Sequence, residues 1–208
     1  MLKFYTNPMS RGQIARWMLE EVGEPYEEVL VGYGPEMKSA EYLALNPMGK
    51  VPTLVHDGRV VTECAAICTY LADAFPAASL APAPGDRADY YRWMFFAAGP
   101  VESAIMNRSM GWDPEGEKQA MSGYGHYDLT MDTLEKAVRA HPYIAGDRFT
   151  AADVYVGSQV GWGIQFATMP DRPAFHAYWE RISAREGYQK AKARDNELIA
   201  AQSAQSES

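Results

Sequence analysis

Three short clusters near the start of this chain carry residue types that could contact a bound ligand. They are Asn7-Pro8-Met9-Ser10-Arg11, Lys50-Val51-Pro52 and Thr62-Glu63-Cys64. Each also has a purely structural reading. Ser10 stands where a hydroxyl commonly caps a helix. Glu63 precedes a helical pattern, where the macrodipole favours a carboxylate with or without a ligand. Pro52 opens a strand that should be hydrogen-bonded, a place where proline is disfavoured unless it shapes a turn. A cis Val51–Pro52 bond would expose the Val51 amide and carbonyl to an extended ligand, and a trans proline at a strand start fits the local sequence equally well.

Self-contained catalytic motifs are absent. The chain has no G-x-S-x-G, no Walker loop, no G-x-G-x-x-G and no H-E-x-x-H, so any chemistry falls to something the protein binds. His56, His126, His141 and His176 are scattered without ligand spacing, and no metal is expected. Cys64 and Cys68, four apart, read as small buried residues on one side of a helix in a reducing, cytoplasmic compartment. Cys64 at a helix start is also the setting of a reactive thiol. A formal charge of −8 without a basic cluster argues against nucleic acid. No apolar run is long enough to span a bilayer, and the first residues lack the pattern of a secretory signal.

The elements that must position these clusters follow from periodicity. Leu2–Thr6 reads as a strand, and Ile14, Ala15, Met18, Leu19 and Val22 mark one face of a helix ending at Gly23. A strand at 27–31 and a helix at 37–45, halted by Asn46-Pro47, complete a strand–helix–strand unit. Asp57-Gly58 between two apolar runs predicts a hairpin with positive φ at both turn positions. A helix over 63–75 follows, with Ile67, Tyr70, Leu71 and Phe75 at helical spacing. The expectation is an α/β domain over 1–76, a Pro- and Ala-rich linker over 77–86 and an all-helical domain over 87–208. Within the latter, helices are expected over 87–108 and 116–140, with a start at Thr150 where Asp153 reaches back to free amides. Another helix begins near Pro173, and a polar tail frays from about Gln202. An α/β unit followed by a helical one suggests a ligand between them, near the strand ends.

Taken together, Asn46-Pro47-Met48-Gly49-Lys50-Val51-Pro52-Thr53-Leu54 and Thr62-Glu63-Cys64-Ala65-Ala66-Ile67-Cys68-Thr69-Tyr70-Leu71 resemble the glutathione transferase family. So do Phe4–Arg11, Arg16–Gly23 and the Phe149-Thr150-Ala151-Ala152-Asp153 helix start. The resemblance covers roughly residues 1 to 200 and is nearest to soluble bacterial, theta- and beta-like members that use serine or cysteine. It implies a thioredoxin-like glutathione-binding domain followed by an all-helical electrophile-binding domain, and a homodimer. It also implies roles. The backbone of Val51, ahead of Pro52, would pair with the cysteinyl part of glutathione. Glu63 and Cys64 match the Glu-Ser pair that holds the γ-glutamyl end, with Cys64 departing from the usual serine. A thiol is a weaker donor than a hydroxyl, so weakened affinity is expected rather than loss. Lys50 and Lys38 match positions that bind the glycine carboxylate. Ser10 matches the hydroxyl that faces the glutathione sulfur, with Asn7, Met9 and Arg11 as the neighbours to which that alignment could slip.

With the sulfur activated in this way, the family's reaction is conjugation to an apolar electrophile, a detoxifying transfer. Met106, Met110, Trp112, Tyr124, Trp162 and Phe166 are the candidate wall for that electrophile, although such stripes more often form core. The same scaffold suits other glutathione chemistry, such as isomerase, lyase, reductase or peroxidase reactions, or a non-catalytic carrier.

Overall fold

The computed structural model describes residues 1–206. By their internal contacts these form two compact units: Met1–Ala78 joined by the chain from Ala184 onward, and Ser79–Ser183. The sequence reading kept 87–208 together, whereas here the last helix is counted with the first unit.

The first unit is built on a four-stranded sheet of order β2-β1-β3-β4. The strands are β1 (Leu2–Thr6), β2 (Tyr26–Leu30), β3 (Thr53–His56) and β4 (Arg59–Thr62). β1 runs parallel to β2 and antiparallel to β3, and β3 is antiparallel to β4. This is the mixed sheet of a thioredoxin-like domain. The parallel β1–β2 pair requires a crossover, supplied by α1 (Gly12–Val22). The β3–β4 hairpin turns at Asp57 (φ 49°) and Gly58 (φ 79°), both left-handed as expected. Phe4 and Leu54 from the sheet bury with Ile14 and Met18 of α1 and Ile67 and Leu71 of α3 (Cys64–Ala74). The helix expected over 37–45 is instead a 3-10 turn, Glu36–Lys38, followed by α2 (Ala40–Leu45). Ser39 interrupts it by accepting the Tyr42 amide on its side chain, a cap that competes with helix continuation.

Arg16, in the middle of α1, is fully buried. Its Nε donates to Asp195 at 2.8 Å, and Nη1 donates to Glu28 at 2.5 Å. Arg194 donates to the other oxygen of Glu28 at 2.8 Å. Asp195 and Arg194 lie on α10 (Glu186–Ser206), so α10 is held against α1 and β2. Arg185 adds a two-pronged pair with Glu21 at 2.6 and 2.8 Å, and Trp17 packs edge-on against Tyr188. Removing one partner of such a buried ion pair typically costs about 3–5 kcal/mol, because the other charge is left uncompensated. The tail expected to fray from Gln202 is helical through Ser206; 207–208 lie outside the described residues.

The second unit is helical. It holds α4 (Ala88–Phe96), α5 (Glu102–Ser109), α6 (Lys118–Met121), α7 (Tyr127–Ala140), α8 (Ala151–Gln165) and α9 (Pro173–Ser183). A π-helical turn over Ala97–Val101, containing Pro100, joins α4 to α5, so the run expected over 87–108 is nearly continuous. The run over 116–140 is broken before α7, where His126 caps the helix through Nδ1.

α8 is buried along almost its whole length and starts at Thr150 as expected. The fully buried Asp153 carboxylate accepts from the amides of Thr150 (2.9 Å) and Ile144 (2.7 Å). It also accepts from the hydroxyls of Thr150 (3.1 Å) and Tyr178 (2.9 Å). Burial pushes its carboxyl up to about 6, against the opposite pull of those four donors. A folded-state value above the ordinary one means that the folded protein holds the proton more tightly between about pH 4 and pH 6. The stabilising contribution is therefore full below about pH 4 and is lost as the pH rises through about 6, by about 3 kcal/mol at most. Urea unfolding of the wild type and Asp153→Asn at a series of pH values should show the difference between them shifting over that window and flat above it.

Candidate active site

Strand polarity brings the three sequence clusters together. β1 and β4 end, and β3 begins, at the same edge of the sheet: Tyr5 pairs with Thr53, and Thr53 pairs with Thr62. The Ser10 turn leaves β1 there, Val51–Pro52 enters β3 there, and Glu63 follows β4 there.

In the first turn, Ser10 is half-buried. Its Oγ donates to the Asn7 carbonyl at 2.7 Å and accepts the Gly12 amide at 2.9 Å. The hydroxyl thus spans the entry to α1 from just outside the helix, while the capping position itself is Arg11, which makes no side-chain cap. Of the neighbours considered for the thiol position, Met9 is largely exposed and Asn7 is buried. Gly12 is required for space. A Cβ there would lie 2.0 Å from Thr6 Oγ1 and 3.0 Å from Ser10 Oγ.

In the second cluster the Val51–Pro52 bond is cis, which decides between the two sequence readings. Among the described residues, no hydrogen bond reaches the Val51 amide or carbonyl. The Lys50 carbonyl just before it is pinned twice, by Tyr42 Oη at 2.7 Å and Asn46 Nδ2 at 2.8 Å. Tyr42 and Asn46 both also contact Thr53 Oγ1, at 3.0 and 3.3 Å. Neither is legible in the sequence as a support of this segment, where Asn46-Pro47 reads as a helix stop and as part of the family motif. The one trace is a polar residue directly before a helix-stopping proline. Lys38 Nζ donates to the carbonyls of Met48 (3.1 Å) and Gly49 (2.9 Å), so it braces the loop. The Lys50 side chain is exposed, with no ion pair among the described residues.

In the third cluster Glu63 is exposed and stands at φ 66°, ψ 121°, a region non-glycine residues rarely adopt. Its carboxylate does not cap α3, contrary to the structural reading that the sequence allowed. Backbone strain of this kind costs on the order of 1–3 kcal/mol and concentrates where function holds it. The next residue, Cys64, is the first of α3 and buried, and its Sγ donates to the Arg11 carbonyl at 3.5 Å. This contact ties the start of α3 to the Ser10 turn. Ile67 donates to the Glu63 carbonyl, so the Ala65 and Ala66 amides precede the first intrahelical bond. Cys68, one turn on, is fully buried, and burial pushes its thiol well up.

The site therefore offers an acceptor for an ammonium, amides at a helix start, an unpaired backbone segment, a hydroxyl and a cation, all at one sheet edge. Two family models match the chain: the glutathione S-transferase N-terminal domain over residues 9–74 and its C-terminal domain over 100–186. The chain belongs to the glutathione S-transferase family. Among its relatives, glutathione S-transferase GST-4.5 of Xanthomonas campestris pv. campestris is 30% identical over 202 residues, covering 91% of this chain and 97% of that one. A glutathione transferase structure from Methylococcus capsulatus superposes with a TM-score of 0.77 at 29% identity, covering 94% of this chain and 99% of that one. A sphingomonad glutathione S-transferase solved in complex with glutathione gives 0.75 at 28% identity, covering 93% and 98%.

The residues expected to form the transferase's electrophile wall lie in the helical unit. Met106, Met110, Trp112 and Phe166 are substantially exposed, and Trp162 is half-buried. Tyr124 is buried, its Oη accepting from Asn107 Nδ2 at 2.9 Å and its carbonyl from Thr130. These are the marks of a core position.

Close packing under the Ser10 turn yields a test. Gly12→Ala should force the turn to shift, lowering turnover with a glutathione-dependent electrophile about tenfold and stability by about 1–3 kcal/mol. Steady-state rates and thermal melts check both; unchanged rates would show that the turn tolerates displacement.

Proposed function

We propose that this transferase binds glutathione along the sheet edge, holds its sulfur as a thiolate beside Ser10 and conjugates it to an apolar electrophile. The convergence of the Ser10 turn, the unpaired Val51 backbone and the strained, exposed Glu63 at one edge carries this reading. Glutathione has two carboxylates, one ammonium and one thiol, and each finds a complement. Glu63 takes the ammonium. The start of α3, at Cys64, Ala65 and Ala66, takes the γ-glutamyl carboxylate. Val51, preceding Pro52, pairs its backbone with the cysteinyl residue. Lys50 takes the glycine carboxylate, and Lys38 supports it chiefly by bracing the loop carbonyls.

A free thiol with a pKa of about 8.5 is only about 3% ionised at pH 7. Lowering that pKa by about 2 units takes about 2.7 kcal/mol of preference for the charged form. A hydrogen bond from Ser10 together with the start of α1 supplies an interaction of that size. Ser10 has one proton, directed at the Asn7 carbonyl in this structure. A thiolate is the stronger acceptor, so the hydroxyl turns to it when the ligand enters. The thiol proton passes to solvent. The thiolate then attacks the electrophilic carbon, the S–C bond forms, and the leaving group departs with its electron pair. Met106, Met110, Trp112, Trp162 and Phe166 are assigned to receiving the electrophile, and the buried Tyr124 to their support.

Calorimetric titration of glutathione should show saturable binding. Turnover of a chloro-nitroaromatic electrophile should fall about 10- to 100-fold in Ser10→Ala, equivalent to about 1.4–2.7 kcal/mol. Binding without turnover moves weight to another glutathione reaction or a carrier role, and unchanged activity in Ser10→Ala removes the Ser10 assignment.

We further assign the enzyme to the cytoplasm, where buried cysteines such as Cys64 and Cys68 stay as thiols, and to the removal of reactive electrophiles. A homodimer is proposed on the exposed aromatic side chains of α4, Tyr91 and Phe95. Sedimentation should give twice the chain mass of 23.1 kDa, and a species at the single-chain mass overturns the dimer.

A further inference from the structure

We infer that Asn7 is a positioning residue that holds Ser10 in register and, through its backbone carbonyl, accepts the hydrogen bond of the Ser10 hydroxyl while no thiolate is present. This rests on the assignment of Ser10 to the glutathione sulfur.

Asn7 is 5% exposed and lies between β1 and the Ser10 turn. Its Nδ2 donates to the Val31 carbonyl at 3.1 Å, just past the end of β2. Its Oδ1 accepts the Met9 amide at 3.0 Å, two residues ahead, which bends the chain as a turn does. Its own carbonyl accepts the Ser10 amide at 3.1 Å and the Ser10 hydroxyl at 2.7 Å. Both polar atoms of the side chain are therefore engaged inside the protein, and at 5% exposure the residue acts through Ser10.

The residue type follows from this geometry. An acceptor is needed on one side of the terminal group, for Met9, and a donor on the other, for Val31. Only a carboxamide of this length offers both. Aspartate would keep the acceptor and turn its second oxygen against the Val31 carbonyl. Alanine would lose both contacts, leaving the buried Val31 carbonyl without this partner and the turn at Met9 unsupported. Pro8, with its φ near −65°, suits the position directly after Asn7 in the turn. The Asn7 carbonyl also competes with sulfur for one proton, so its placement sets how readily Ser10 turns toward the ligand.

The test uses the full-length enzyme as wild type, Asn7→Ala, Asn7→Asp and Ser10→Ala. The rate of conjugation of a chloro-nitroaromatic electrophile is followed from pH 6 to 9, with kcat and KM for glutathione resolved at each pH. Asn7→Ala should lower kcat about tenfold and move the acidic limb of the pH profile up by about one unit. Its KM for glutathione should stay within about threefold of wild type. Asn7→Asp should lie between the two. Circular dichroism establishes that the variants fold, and if Asn7→Ala does not, Asn7→Asp carries the comparison alone. Folded Asn7 variants with the wild-type limb, beside a Ser10→Ala variant that moves it, overturn the role of Asn7 and leave Ser10 in place. A Ser10→Ala variant that leaves the limb unmoved removes the assignment beneath the proposal, and the proposal with it.

Discussion

Arg16 carries a full charge in a position that water cannot reach, and its guanidinium is tolerable there only because Glu28 and Asp195 surround it. Those partners come from β2 and α10, elements remote from each other in sequence. The charge therefore fixes three elements at once. α1 cannot slide or rotate without stranding the guanidinium, and α1 begins at the turn that carries Ser10. The orientation of the proposed thiol-facing hydroxyl is thus secured from about one and a half helical turns away. The contact of Cys64 with the Arg11 carbonyl secures it from the other side.

Much of the first unit was legible in the sequence because its signals are local. The period of Ile14, Met18 and Leu19, the Asp57-Gly58 turn and the stop at Gly23 all act within a few residues, and each stands as read. The start of α8 at Thr150 and Asp153 was equally readable. What could not be read depends on distant partners. Arg16 looks like an ordinary helical arginine until Asp195, 179 positions later, is placed beside it. The Ser39 break and the His126 cap were missed because a side-chain cap competes with helical periodicity and leaves little trace in it.

The candidate site shows the same division. Pro52, Glu63 and Ser10 were recognisable by type and spacing, and strand register gathers them. Their supports were not recognisable. Tyr42 and Asn46 act through the Lys50 carbonyl, a backbone atom that no residue name reveals. The left-handed backbone at Glu63 was hidden for the same reason, since glutamate gives no hint of positive φ. The residues proposed to contact a ligand are thus easier to find from sequence than the ones that hold them still.

The return of α10 to the first unit has a consequence for how the chain is made. A ribosome releases the sheet, α1 and α3 early, yet Arg16 meets Asp195 only after the helical unit has emerged. Until then a buried-type arginine and Trp17 lie without their final cover. The part synthesised first is therefore the last to be completed, and the amino-terminal segment cut out on its own would lack one wall. Any attempt to graft this sheet onto another protein must carry the distant helix along with it.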